Sequence, residues 1–259
     1  MQTDGQFINY SVPNMIICHS LRLAFQDVPK VGSTSLFKWF YELSFGSPYV
    51  PVKTPDGRDI WLHDWFTRQK SGPITSKPLN RFVKPEGYFV FCLTRDPVKR
   101  LLSAYTNRVF QHWELAPNHP DGKAAIEAGL EANPKLEYFV ENLERYQAVA
   151  ESIFHHTRPM VDFIGRDPSR YDRMFDLAEM PLLRERLMEH WRACELPVSR
   201  QDIPSIPREQ TSGTKLGLDA LSPHAFEKLL AYYAEDYELL PTCSLEKIRA
   251  EKYGSAGTD

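Results

Sequence analysis

Between a strand-like run and an apolar stretch lies Val28–Ser35, VPKVGSTS, where one lysine stands just ahead of a glycine and three hydroxyl side chains. Glycine, serine and threonine suit turns and helix caps, so a plain turn into a helix is one reading. An anion cradle is the other. A loop turning into a helix offers free backbone N–H groups, and the helix dipole adds about half a positive charge. Gly32 would let the backbone approach an oxyanion. Ser33, Thr34 and Ser35 would add hydroxyl donors and Lys30 a full charge, which makes phosphate or sulfate the natural guest. The pattern is not the G-x-x-x-x-G-K-[ST] phosphate loop: here the lysine precedes the glycine and the first glycine is missing.

A second candidate is TRDPVKRLLSAY. Arg95 ends a near-continuous apolar run, YFVFCLTR, and Ser103 lies two turns into the helix that follows. Arg95 could simply pair with Asp96 or a helix end. A guanidinium fork with a nearby hydroxyl could instead hold a second phosphate. Two such sites at neighbouring strand ends call for a ligand with two separated anionic groups.

The surrounding pattern supplies elements to position these groups. Leu21–Pro29 has strand composition, and STSLFKWFYEL reads as a helix capped by Ser33 or Thr34. That helix is apolar on nearly all sides, so it should be buried. Residues 45–82, rich in proline and polar groups around the patch Ile60–Phe66, read as a functional loop or lid. Tyr88–Arg95 suits a central parallel strand covered on both faces. Asp96 and Pro97 open the next helix, with Val98, Leu101, Leu102, Tyr105 and Val109 on its core face. Asn133 and Pro134 start another helix, MVDFIGR (Met160–Arg166) reads as a third short strand, and a helix is expected over about 181–194. Ser222 and Pro223 start the closing helix, which continues to about residue 240. Strands alternating with helices predict an α/β fold of three layers, a central parallel sheet flanked by helices, in one domain over residues 1–259. Ligands bind such sheets at the carboxyl ends of the strands, where both candidate cradles fall.

Bulk properties narrow the function. The 259 residues are 42% hydrophobic and carry a net charge of -3, which supports one substantial core and gives no basic field for nucleic acid. No window of about eighteen apolar residues suggests a membrane span, and the first twenty residues lack a signal-peptide pattern. Cys18, Cys92, Cys194 and Cys243 are far apart with no CxxC spacing, so reduced thiols and no metal site are expected.

PKVGSTS followed by RDPVKRLLSAY resembles the signature pair of sulfotransferases that use 3'-phosphoadenosine 5'-phosphosulfate (PAPS), and is most similar to the carbohydrate sulfotransferase branch. HHTRPMVDFIGR and LSPHAFEKLLAYYAEDYELL resemble two further family segments, so four blocks cover about half of the chain. The resemblance implies a P-loop-like sulfotransferase fold. Lys30, Gly32, Ser33, Thr34 and Ser35 would bind the 5'-phosphosulfate, Arg95 and Ser103 would bind the 3'-phosphate, and adenosine 3',5'-bisphosphate (PAP) would be the product. It also implies no metal and an acceptor hydroxyl on a glycan. The chain lacks the membrane anchor of the family's Golgi members and a cysteine often found near the histidine segment. Those departures point to a soluble, bacterial, cytoplasmic enzyme and leave the acceptor open.

Transfer to an alcohol needs a base near neutral pH, and histidine suits it. His63, beside Asp64 in an aromatic segment, is slightly favoured over His156; a structural histidine is the plainer reading of either. Lys30 is expected to neutralise charge on the leaving phosphate oxygen. Thr211, Ser212 and Lys215 could close over the nucleotide, and Arg158, Arg166, Lys53 and Arg68 could receive an anionic glycan, although loop charges of this kind are usually just solvated. Two rivals stand. A nucleotide-dependent kinase should show a glycine pair and magnesium carboxylates, and no convincing set is present. A non-catalytic module for nucleotides or sulfated glycans would have no turnover to lose on substitution of Lys30. The sequence does not set the oligomeric state.

Overall fold

The computed structural model describes residues 13–54, 56–57, 59–196, 206 and 216–254. The main sheet collects β1 (Asn14–Cys18), β2 (Leu23–Gln26), β5 (Ile74–Pro78), β6 (Phe89–Thr94) and β7 (Arg173–Asp176) in the order β5-β1-β2-β6-β7. Its heart is parallel: β2 runs with β6, pairing Gln26 with Cys92, and β6 runs with β7, pairing Thr94 with Asp176. β1 is antiparallel to both β2 and β5, so the sheet is mixed, a parallel core widened by an antiparallel edge. The architecture is the α/β class expected.

Helix α1 (Ser33–Phe45) leaves the carboxyl end of β2. Its rings pack on the sheet: Phe37 and Phe40 lie 5.4 and 5.0 Å from Phe25, and Trp39 meets Trp191 at 5.9 Å between centroids. Each such buried ring contributes roughly 1.5–3 kcal/mol relative to exposure. A hairpin of β3 (Val52–Lys53) and β4 (Asp59–Ile60) leads to α2 (Leu62–Arg68), and β5 follows. The expected loop over residues 45–82 therefore contains structure. The aromatic patch is a helix whose Phe66 is buried against Phe37, which locks it to α1.

Beyond β6 come α3 (Pro97–Tyr105), a π-helical segment at Thr106–Gln111, α4 (Pro120–Glu127), α5 (Leu136–Glu141), α6 (Leu143–Val149) and α7 (Glu151–Thr157). Residues Val161–Ile164 form a short helix, α8, where the sequence suggested a strand. The Asp236 carboxylate accepts the amides of Met160 and Val161 and so caps that turn, while Gly165 at φ 83° ends it. The third parallel strand is β7 instead, four residues with charged ends that left little pattern to read.

After β7 come α9 (Met180–Ala193), α10 (Pro223–Tyr232), α11 (Ala234–Leu239) and α12 (Leu245–Tyr253). The Ser222 hydroxyl caps α10 as expected, accepting from the Ala225 amide. The closing helix is divided at Tyr233, whose hydroxyl donates to the carbonyl of Thr157. Two apolar clusters result, one around the sheet with α1 and α9, the other joining α3, α5, α6, α7 and α10. Among the described residues no helix is long and apolar enough to cross a membrane.

Candidate active site

Because β2 and β6 are parallel neighbours, the segments leaving their carboxyl ends emerge side by side. The first carries Lys30 and Gly32, both in the left-handed region at φ 69° and 89°. A positive φ is uncommon for lysine, and such strain clusters at functional sites. Gly32 is the N-cap of α1 and no side chain caps that helix, contrary to the expectation for Ser33 or Thr34. The positive φ is what calls for glycine here; a Cβ would also stand 2.8 Å from Cδ1 of Leu177, a side-chain end that can shift.

The second segment reaches back to the first. Arg95 donates from Nη1 to the carbonyl oxygen of Lys30 at 3.3 Å, joining the two candidate cradles directly. The Asp96 carboxylate accepts the Lys99 amide at the start of α3, and the Tyr237 hydroxyl donates to its other oxygen at 2.9 Å. Arg95 is thereby anchored on a capped helix start.

Burial pushes Lys30 down to about 8, and the cations Arg108 and Arg95 add to the shift, while Glu114 opposes it. Burial likewise lowers Arg95, offset by Asp96 and Asp176. Cations crowded against one another in a half-buried cleft are the condition that an anionic ligand relieves.

The hydroxyls divide. Ser33 and Ser35 are buried in the first turn of α1, whereas Thr34 is half-buried and meets His63, with Oγ1 and Nε2 3.0 Å apart. His63 stands on α2, not in a loop. Its ring edge rests on Phe37, and its Nδ1 faces Asp27 Oδ2 at 4.0 Å. Asp27 is the first residue beyond β2. His156 is in the last turn of α7, buried, with Nδ1 donating to the Ser152 carbonyl at 2.8 Å. Burial first, then Arg108 and His155, hold it well below the usual histidine range, and Lys30 lowers it further. Ser103 lies half-buried on α3. His155 and His156 stack edge to face on a helix, and among the described residues no three His, Cys, Asp or Glu side chains gather as metal ligands.

Four contributors escaped the sequence reading: Asp27, Arg108, His112 and Glu114. Arg108 forms an ion pair with Glu114 at 2.9 Å, and His112 is lowered by burial and then by Arg108. Arg108 lies five residues past Ser103 on the continuation of α3, a signal the α-helical period misses because the segment is π-helical. Nothing local marks Glu114.

Several proposed glycan contacts are already engaged. The buried Arg158 guanidinium covers the Phe163 ring at 4.1 Å, Arg166 forks onto Glu235, and Lys53 pairs with Asp59. Arg68 is exposed on α2. Thr211, Ser212 and Lys215 lie outside the described residues.

Residues 13–241 match the family model described as "Sulfotransferase family". No curated protein and no solved structure matches the chain.

Proposed function

The chain belongs to the sulfotransferase family, and from that footing we propose that it moves a sulfuryl group from PAPS to a hydroxyl of a carbohydrate or glycoconjugate. The observation that carries the reading is the bond from Arg95 to the Lys30 carbonyl. It brings two cationic loops from adjacent parallel strands within reach of one ligand bearing two anionic ends. Lys30, lowered first by burial and then by Arg108 and Arg95, supports such a guest.

The donor supplies an activated sulfuryl group, and the chain supplies charge and position. Lys30 neutralises negative charge on the 5'-phosphate as it departs. Gly32, Ser33, Thr34 and Ser35, with the open N-terminus of α1, hold the same phosphate. Arg95 and Ser103 take the 3'-phosphate, which separates this donor from ATP. Positioning and charge stabilisation dominate a loose transfer of this kind, by analogy with phosphoryl transfer.

His63 is the favoured base. Its side chain is 39% exposed, so an acceptor can reach it, and Asp27 Oδ2 stands 4.0 Å from Nδ1 on the other side of the ring. His156 is the weaker base, since burial and two cations oppose its charging. The test is transfer of label from sulfur-labelled PAPS to a panel of glycans, phenols and tyrosine peptides. Labelling of glycans is expected. Labelling confined to phenols or peptides would overturn the acceptor assignment, and no labelling at all would overturn the donor.

A further inference from the structure

A cavity of about 400 Å³ opens between the end of α3 with its π-helical continuation, residues 133–136, and the 3₁₀ turn Leu218–Ala220. Ligand pockets run from roughly 300 to 1,000 Å³. Its walls are tied together. The Tyr105 hydroxyl donates to the Pro134 carbonyl at 2.8 Å, and the Asn133 amide donates to the Leu115 carbonyl at 2.9 Å. Lys252 donates to the carbonyls of Leu218 and Leu221 and so pins the third wall. The space is preformed.

Two large rings of the lining stay open to solvent, Phe110 at 57% and Trp113 at 56% exposure. Phe110 leans edge-on against Tyr105 with centroids 5.6 Å apart, which fixes its ring beside the cavity. Adjacent exposed rings of this size mark binding surfaces more often than solvated ones. Trp113 at φ 54° and Asn133 at φ 45° both lie in the left-handed region, and both line this one cavity. A bulky residue there is an outlier, and such strain collects at ligand sites.

The lining selects among guests. The Tyr105 hydroxyl is already spent on Pro134, and most of the remaining side chains are aliphatic or aromatic. A sugar ring would bury hydroxyls with few partners, which is costly, whereas a hydrocarbon tail leaves nothing unpaired. One charged side chain lines the cavity: Lys135, exposed at its edge. Glu137, the acid nearest to it along the chain, is held elsewhere, its carboxylate accepting from the amide and hydroxyl of Ser222.

We propose that this cavity is a second ligand site, which takes the acyl chain of a free single-chain carboxylate while Lys135 pairs with the head group. The tail is enclosed by three walls, a shape suited to one free chain and not to the flat face of a bilayer. The proposal is independent of the donor assigned above, because no residue of the nucleotide cradle lines the cavity.

The test is calorimetric titration of the full chain with octanoate, decanoate and decan-1-ol below their micelle thresholds, in wild type, Trp113→Ala, Phe110→Ala and Lys135→Glu. All three substituted side chains are exposed, so the variants should fold. Decanoate should bind about tenfold more tightly than octanoate, as two more methylenes leave water. Trp113→Ala and Phe110→Ala should each weaken decanoate and decan-1-ol alike, by about tenfold. Lys135→Glu should weaken decanoate about fivefold and leave decan-1-ol within about twofold. Decanoate binding that none of the three substitutions alters overturns the site, and a Lys135→Glu variant that weakens both ligands equally overturns the head-group contact. Two further results also overturn the proposal when decanoate does not bind. One is self-association of wild type that Trp113→Ala abolishes, which would give the cavity to a second copy. The other is capture by vesicles of anionic phospholipid that Trp113→Ala abolishes, which would give it to a bilayer.

Discussion

His63 holds its Nε2 3.0 Å from the hydroxyl of Thr34, bringing a residue of α2 onto the first turn of α1. With Asp27 behind the other ring nitrogen, a carboxylate, an imidazole and a hydroxyl line up beside the proposed donor cradle.

His63→Ala should therefore lower kcat by about 10²–10⁴-fold, the usual contribution of a positioned base. Asp27→Asn should cause a smaller loss, because the ring keeps its contact with Thr34 and its packing on Phe37. Full activity in His63→Ala, with activity lost in His156→Ala, would transfer the role to His156.

Lys30 sets a pH dependence with a definite sign. Its ammonium, held down to about 8 in the free protein, is favoured once an anion binds, so the bound value lies higher. Affinity for PAP should be full below about pH 8 and fall by up to about tenfold per unit as pH rises through it. Calorimetry between pH 7 and 9.5, where phosphates are already largely ionised, checks this. Lys30→Met should bind weakly and without that slope.

The sequence carried the parts that depend on short-range chemistry. The glycine at residue 32, the Asp96–Pro97 helix start and the apolar run of β6 are each set by a few adjacent residues, and all three were legible. Pairings made by tertiary packing were not. Asp27 meets His63 only because Phe37 and Phe66 lock α1 to α2. Arg108 was hidden by the change of period after Tyr105, and β7 by its length of four residues. The segment at Val161 reads as a strand by composition and becomes a helix because Asp236, far along the chain, caps it.

Gly32→Ala should destabilise the protein by about 1–3 kcal/mol, since alanine resists φ 89° and its methyl group would press on Leu177. Denaturant unfolding measures this. Adding Leu177→Ala should recover the steric part and leave the backbone part.

Asp96→Ala removes the cap of α3 and strands the Tyr237 hydroxyl. A loss of about 1–2 kcal/mol is expected, with Tyr237→Phe costing about 0.5–1.5 kcal/mol. Because α3 carries Arg95 at its entry, Asp96→Ala should also weaken PAP more than it weakens AMP. Equal weakening of the two would separate the cap from the arginine.

The grip of two loops on one nucleotide is tested most directly by calorimetric titration of the protein with PAP and with AMP, in wild type and in Arg95→Ala. The account predicts that wild type binds PAP at least about tenfold more tightly than AMP, and that Arg95→Ala abolishes the difference while leaving AMP nearly unchanged. Equal affinity for the two nucleotides in wild type, or a preference that survives the loss of Arg95, would contradict it.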